Sequence, residues 1–96
     1  HPKHLFDEER GSLLQSMFKP GINFLDVGSG VGSDCILAGQ QGASRVIGVE
    51  GNQENIEKAM MRAQKVDVAV DFICYDLERA SLPFENDFFD LINFSN

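Results

Sequence analysis

The sequence predicts an α/β fold in which helices pack against a parallel sheet. Short, nearly continuous apolar runs of the kind that form buried parallel strands alternate with stretches of helical character. Such alternation implies strands joined by right-handed crossovers. The first apolar run, "NFLDV", leads straight into "GSGVGS" and then into a helical stretch. A glycine cluster between a strand and a helix lies where sheets of this class bind ligands.

The elements follow in order. Residues 5–18 read as an amphipathic helix: Leu13, Leu14, Met17 and Phe18 share one face, and Asp7, Glu8 and Glu9 sit in the first turn, where the helix dipole favours acids. "KPG" at 19–21 stops it. "INFLDV" (22–27) is the first strand, residues 33–41 are the next helix, and Gly42 suits its C-terminal cap. "RVIGVE" (45–50) is a second buried strand. Asn52 reads as the N-cap of a helix to Lys65, with Ile56, Ala59, Met60 and Ala63 as the inward stripe and Glu54 placed to pair with Lys58. "VAVDFICYD" (68–76) is a third strand, which Asp71 marks as less buried and so at an edge. A loop with Pro83 covers 77–86, and "DFFDLINFS" (87–95) is the fourth strand.

The 96 residues fit one domain, and a hydrophobic content of 43% supplies a core. Fifteen acidic and 8 basic residues give a net charge of −7, which argues against nucleic acid as a partner, because phosphate binding rests on Lys and Arg. No apolar run approaches the roughly 20 residues of a membrane span. "HPKHLFDEER" lacks the apolar centre of a signal peptide. A cytoplasmic protein is expected, the nucleus remaining open. Cys35 and Cys74 lie in apolar segments without metal-ligand spacing and read as two reduced, buried thiols. No metal site is expected.

The glycine cluster admits two ligand classes. A dinucleotide pyrophosphate asks for G-x-G-x-x-G before a helix. Here Ser33 stands where the third glycine belongs, and Gly32 comes one residue early. "LDVGSGVG" instead resembles the first motif of class I S-adenosylmethionine-dependent methyltransferases, including an acid, Asp26, two residues before Gly28. The resemblance continues in order: "VIGVE" ends in Glu50, "CYDLE" carries Asp76, and "FFDLINFSN" is similar to the family's fourth motif. It covers residues 23–96.

That resemblance implies a Rossmann-like, three-layer α/β/α sandwich, truncated, with a parallel sheet of strand order 3-2-1-4. Residues 1–21 would be an N-terminal helix and 22–96 the cofactor-binding half. It implies S-adenosylmethionine as cofactor and methyl transfer to a small-molecule or protein acceptor. "DVGSGVG", "GVE" and "NF" are similar to the non-SET histone-lysine methyltransferases and equally to many others.

The implied site takes these residues one by one. Glu50, followed by Gly51, would accept hydrogen bonds from both ribose hydroxyls. The main chain at Gly28, Ser29 and Gly30 would hold the methionine portion. Asp76 would take the adenine amine and the Leu77 N–H a ring nitrogen. Asp26 would help hold the cofactor's ammonium or brace the loop. Asn93 would place a polar group at the cofactor-facing end of the fourth strand or cap it. Phe84 would lie against adenine or in the core, and Phe88, Phe89, Leu91, Ile92 and Phe94 would be core. No catalytic residue is assigned. The apolar edge of the fourth strand would be covered by the missing C-terminal half of a longer chain or by a dimer partner. Two other classes stay open: a non-catalytic interaction module with the same fold, and an NAD(P)-dependent oxidoreductase fragment.

Overall fold

The computed structural model describes residues 14–76, 78, 81–82, 84 and 87–95. A helical turn at 14–17 precedes β1 (Asn23–Val27), α1 (Ser33–Gln40), β2 (Arg45–Glu50), α2 (Gln53–Lys65), β3 (Asp71–Cys74) and β4 (Leu91–Phe94). The strands form one parallel sheet, as the alternating pattern predicts, in the order β3-β2-β1-β4 that the family resemblance implies. The helix expected over 5–18 lies outside the described residues except for its last turn.

Handedness explains the layering. From β1 to β2 to β3 the chain steps across the sheet in one direction, and it then returns past β1 to place β4. Right-handed connections therefore put α1 and α2 on one face and the described residues between β3 and β4 on the other. The packing agrees. Phe24 and Val46 bury one face against Cys35 and Ala38 of α1 and against Leu14 and Phe18. Leu25, Val27, Ile47 and Val49 bury the opposite face against Phe89, with Tyr75, Leu82 and Phe84 packed around them. The third layer is thus a connecting segment among the described residues, and Phe84 belongs to it: its ring meets that of Phe89 edge-on at 5.5 Å.

Local chemistry sets the boundaries. Asn52 accepts the N–H groups of Glu54 (2.9 Å) and Asn55 (3.2 Å), a cap worth about 1 kcal/mol. Gly42, at φ 93, lets the chain leave α1 while the Ala43 N–H returns to the Ala38 carbonyl at 3.1 Å. Asp71 sits on the edge strand and pairs with Arg45 of β2 at 3.0 Å; both side chains are exposed, so the pair adds under about 1 kcal/mol.

Several expectations are corrected. β3 and β4 are shorter than 68–76 and 87–95. The Val68 N–H closes the end of α2 by donating to Ala63, and the ladder with β2 begins only at Asp71. Before β4, Asp90 takes the Asn23 N–H on its side chain and donates its own N–H to the Asn23 carbonyl, and the register with β1 begins only at Leu91. Met17 and Met60 face solvent; α2 lies over the sheet margin, where Ile56, Ala59 and Ala63 suffice to cover it. Of the residues expected in the core near β4, Phe89 is buried and Leu91 packs partly buried against the core; Phe88, Ile92 and Phe94 are exposed, Phe94 by 61%, and for the last two the reason is that β4 is an edge of the described sheet. Cys74 is exposed, on the edge strand, whereas Cys35 is buried on the sheet-facing side of α1. No helix among the described residues is long and apolar enough to cross a membrane.

Candidate functional site

The turn between β1 and α1 carries three glycines at positive φ: Gly28 (78), Gly30 (57) and Gly32 (84). Their surroundings separate two roles. A Cβ on Gly32 would meet the Phe72 ring at 2.9 Å and Ala59 at 3.0 Å, so this glycine lets β3 and α2 pack under the turn. A Cβ on Gly30 would find nothing within 4 Å, so the main chain there faces open space.

The N–H groups of Gly28, Ser29, Gly30 and Gly32 are already engaged. Gly28 and Ser29 both donate to the Val49 carbonyl, at 2.8 and 3.0 Å, and Gly32 donates to Ser29 at 2.9 Å. The Gly30 N–H donates to Glu50 Oε1 at 2.9 Å. A phosphate-binding turn presents free N–H donors in front of a helix N-terminus. Here the first turn of α1 also carries Asp34, an anion where a phosphate would need to come. The turn thus has carbonyl oxygen and open space to offer, which suits a cation better than a pyrophosphate.

Glu50 closes β2 half-buried beside that turn. Besides the Gly30 N–H, its carboxylate accepts from the Asn52 N–H (3.2 Å) and from Asn55 Nδ2 (3.1 Å), both through Oε2. Carboxylate oxygens have about four lone-pair sites between them, so acceptor capacity remains at the crevice. Gly51 is exposed next to it, and its carbonyl accepts a weak bond from the Cys74 thiol at 3.9 Å. Asp76 is exposed and bonds the Glu78 N–H at 3.0 Å, a local turn. Leu77 lies outside the described residues.

A second polar group lies where the strand order reverses, between β1 and β4. Asp26 is 1% exposed, and its Oδ1 accepts from Asn93 Nδ2 at 3.0 Å and from the Ser95 hydroxyl. Asn93 Nδ2 also meets Ser95 Oγ at 2.7 Å. Asp26 and Asn93 stand in register across the two strands. These bonds tie Asp26 to β4. Ser95 was not singled out in the sequence; its signal is the two-residue period that puts it on the same face as Asn93.

The Ser29 main chain belongs to the turn, but its side chain points inward. Its Oγ is buried without a hydrogen-bond partner among the described residues. A Cβ on Gly48 would come within 2.9 Å of that oxygen and 3.0 Å of Cys35 Sγ. Burial pushes the Cys35 thiol well above its usual range, and the carboxylates of Asp26 and Asp34 add to the shift, so it stays neutral. At pH 8 a maleimide is expected to label the native protein at Cys74 only, and at both thiols after denaturation; labelling of Cys35 in the native state would contradict the packing. Among the described residues no cluster of three or more His, Cys, Asp or Glu could hold a metal.

Residues 24–96 match the family model described as "Methyltransferase domain". The chain belongs to this methyltransferase domain family. A ribosomal protein L11 methyltransferase of Thermosipho melanesiensis is 32% identical over 74 residues, 77% of this chain and 29% of its own length. Among solved structures, the YcgJ protein of Bacillus subtilis superposes with a TM-score of 0.78 at 29% identity, over 91% of this chain and 37% of that one. A SAM-dependent methyltransferase from Geobacter sulfurreducens, solved in complex with S-adenosyl-L-homocysteine, gives 0.60 at 33% identity, over 71% and 29%. The chain therefore spans 29% of that curated relative and well under half of either structure.

Proposed function

We propose that this chain is the cofactor-binding half of an S-adenosylmethionine-dependent methyltransferase, with the cofactor lying across the carboxyl ends of β1 and β2. The observation that carries the reading is Glu50: a carboxylate held at the end of β2, bonded to the Gly30 N–H, beside a stretch of main chain with nothing above it. The residues fit the group. Glu50 would accept from the ribose hydroxyls, with Gly51 giving room beside it. Carbonyl oxygens of the turn around Gly28, Ser29 and Gly30 would take the ammonium of the methionine portion. Asp76 and the Leu77 N–H would meet the adenine edge. Asp26, braced by Asn93, would keep β4 against β1 under the site. The chemistry the bound cofactor supplies is an activated methyl group, open to in-line displacement by an acceptor. For that step the protein's task is position and electrostatics.

The acceptor, a small molecule or a protein, belongs to the same proposal, as does a cytoplasmic setting, which the two free thiols suit. So does the cover for β4, whose edge exposes Phe94 and Ile92. We assign it to further residues of a longer polypeptide, with a second copy as the alternative.

Calorimetric titration with S-adenosylhomocysteine, with NAD as control, tests the reading. Saturable heat with the first and none with the second is expected. Heat with NAD alone, or with neither, would overturn it.

A further inference from the structure

On the helix surface, residues three and four apart are neighbours, and opposite charges there stabilise while like charges destabilise. Arg62 of α2 breaks this rule. Its neighbours at those spacings are Lys58, Ala59, Lys65 and Val66, so the helix places two cations and no carboxylate beside it. A chain with 15 acids and only 8 bases does not lack carboxylates to put there. Local rules broken in this way point to a task elsewhere.

The guanidinium turns away from its own helix. Arg62 Nη1 donates to the Val31 carbonyl at 2.6 Å and to Ser33 Oγ at 3.2 Å. Both partners belong to the glycine-rich turn and the start of α1. One turn earlier on the same helix, Ala59 packs under Gly32, where a Cβ would come within 3.0 Å. At the start of α2, Asn55 Nδ2 holds Glu50 Oε2 at 3.1 Å. A single rigid helix thus fixes the acid at the end of β2 through Asn55 and the far side of the turn through Ala59 and Arg62. The Gly30 N–H joins those two held points by its bond to Glu50.

We infer that Arg62 is a positioning residue: its guanidinium clamps residues 31–33 so that the main chain at Gly30 keeps the conformation the cofactor needs. The inference rests on the cofactor reading proposed above. An Arg–carbonyl bond is charge-assisted, and Arg presents its donors from a planar fork that one ammonium does not reproduce. Lys58 carries the same charge on the same helix and is not among the residues bonded to Val31 or Ser33, which makes it the control.

The test compares wild type, Arg62→Ala, Arg62→Lys and Lys58→Ala by titration with S-adenosylhomocysteine, by thermal unfolding without ligand, and by amide hydrogen exchange over residues 28–36. Arg62→Ala is expected to weaken binding about fivefold to tenfold, in line with the net worth of one or two such bonds. It should speed exchange in the turn, with Arg62→Lys recovering part of both and Lys58→Ala changing neither. Equal weakening by Lys58→Ala would make the effect one of charge and overturn the clamp. Faster exchange with unchanged affinity would leave Arg62 a purely structural brace and likewise overturn it. No binding by wild type would instead sink the cofactor reading on which the clamp rests, an outcome distinct from wild-type binding that Arg62→Ala leaves intact.

Discussion

Gly48→Val is expected to lower the stability of the domain by about 3 kcal/mol or more, seen as a fall in the urea midpoint. Gly48 lies in β2, the strand between β1 and β3. Its missing side chain is what lets three groups converge: an added Cβ would meet the Phe72 ring at 2.8 Å, Ser29 Oγ at 2.9 Å and Cys35 Sγ at 3.0 Å. Cys35 is fully buried, and Phe72 packs against the same cluster. Relief requires the edge strand β3 to shift or α1 to lift, and either would disturb the turn that α1 begins. Gly48→Ala, with only the Cβ, should cost about 1–2 kcal/mol. Gly30→Ala makes the comparison sharp. Its Cβ would enter open space, so its penalty is the left-handed backbone at φ 57 alone, about 1 kcal/mol. If Gly48→Val unfolds at the wild-type urea concentration, the contacts between β3, α1 and the turn are not as described.

This contrast shows what the sequence could and could not reveal. The order of strands and helices was legible because each apolar run and each helical stretch has a period of its own, and because a chain-direction rule fixes how parallel strands are joined. The capping of α2 by Asn52 and the edge position of Asp71 were legible for the same local reasons. The glycines were legible as a group but not one by one. Only packing distinguishes Gly32, closed in by Phe72 and Ala59, from Gly30, which faces open space. The strand ends were overextended because Val68 and Asp90 make bonds that end a helix and brace a strand start, and apolar patterning carries no sign of either. Phe88, Ile92 and Phe94 read as core because hydrophobicity alone does not say whether a neighbour is there to cover it. At the site, the acid of β2 and the polar residue of β4 were found at their strand ends. What they touch was hidden: Glu50 is held by Asn55 and Gly30, and Asn93 by Asp26, across separations of up to 67 residues.

Glu50→Ala is expected to weaken S-adenosylhomocysteine binding by about tenfold to a hundredfold, because hydrogen bonds to a charged group are worth roughly 1.5–3 kcal/mol. Two effects act together. The acceptor proposed for the ribose hydroxyls disappears, and the Gly30 N–H and Asn55 Nδ2 lose the carboxylate that binds the turn to the end of β2. Glu50→Gln separates them. The amide keeps the length and one oxygen, so it can still accept from Gly30, yet it offers no second acceptor and no charge. Affinity for Glu50→Gln should therefore fall less than for Glu50→Ala, while Glu50→Asp, one methylene shorter, should lose the Gly30 contact and resemble Ala. The side chain is only half-buried, so water can replace it, and unfolding without ligand should move by less than about 1 kcal/mol in all three variants. Loss of affinity with stability kept places the effect at the crevice. Wild-type affinity in Glu50→Ala would remove the carboxylate from the site and leave it only the task of tying the turn to β2. A fall in stability that matched the fall in affinity would mean that the turn itself, and not the acceptor, had been lost.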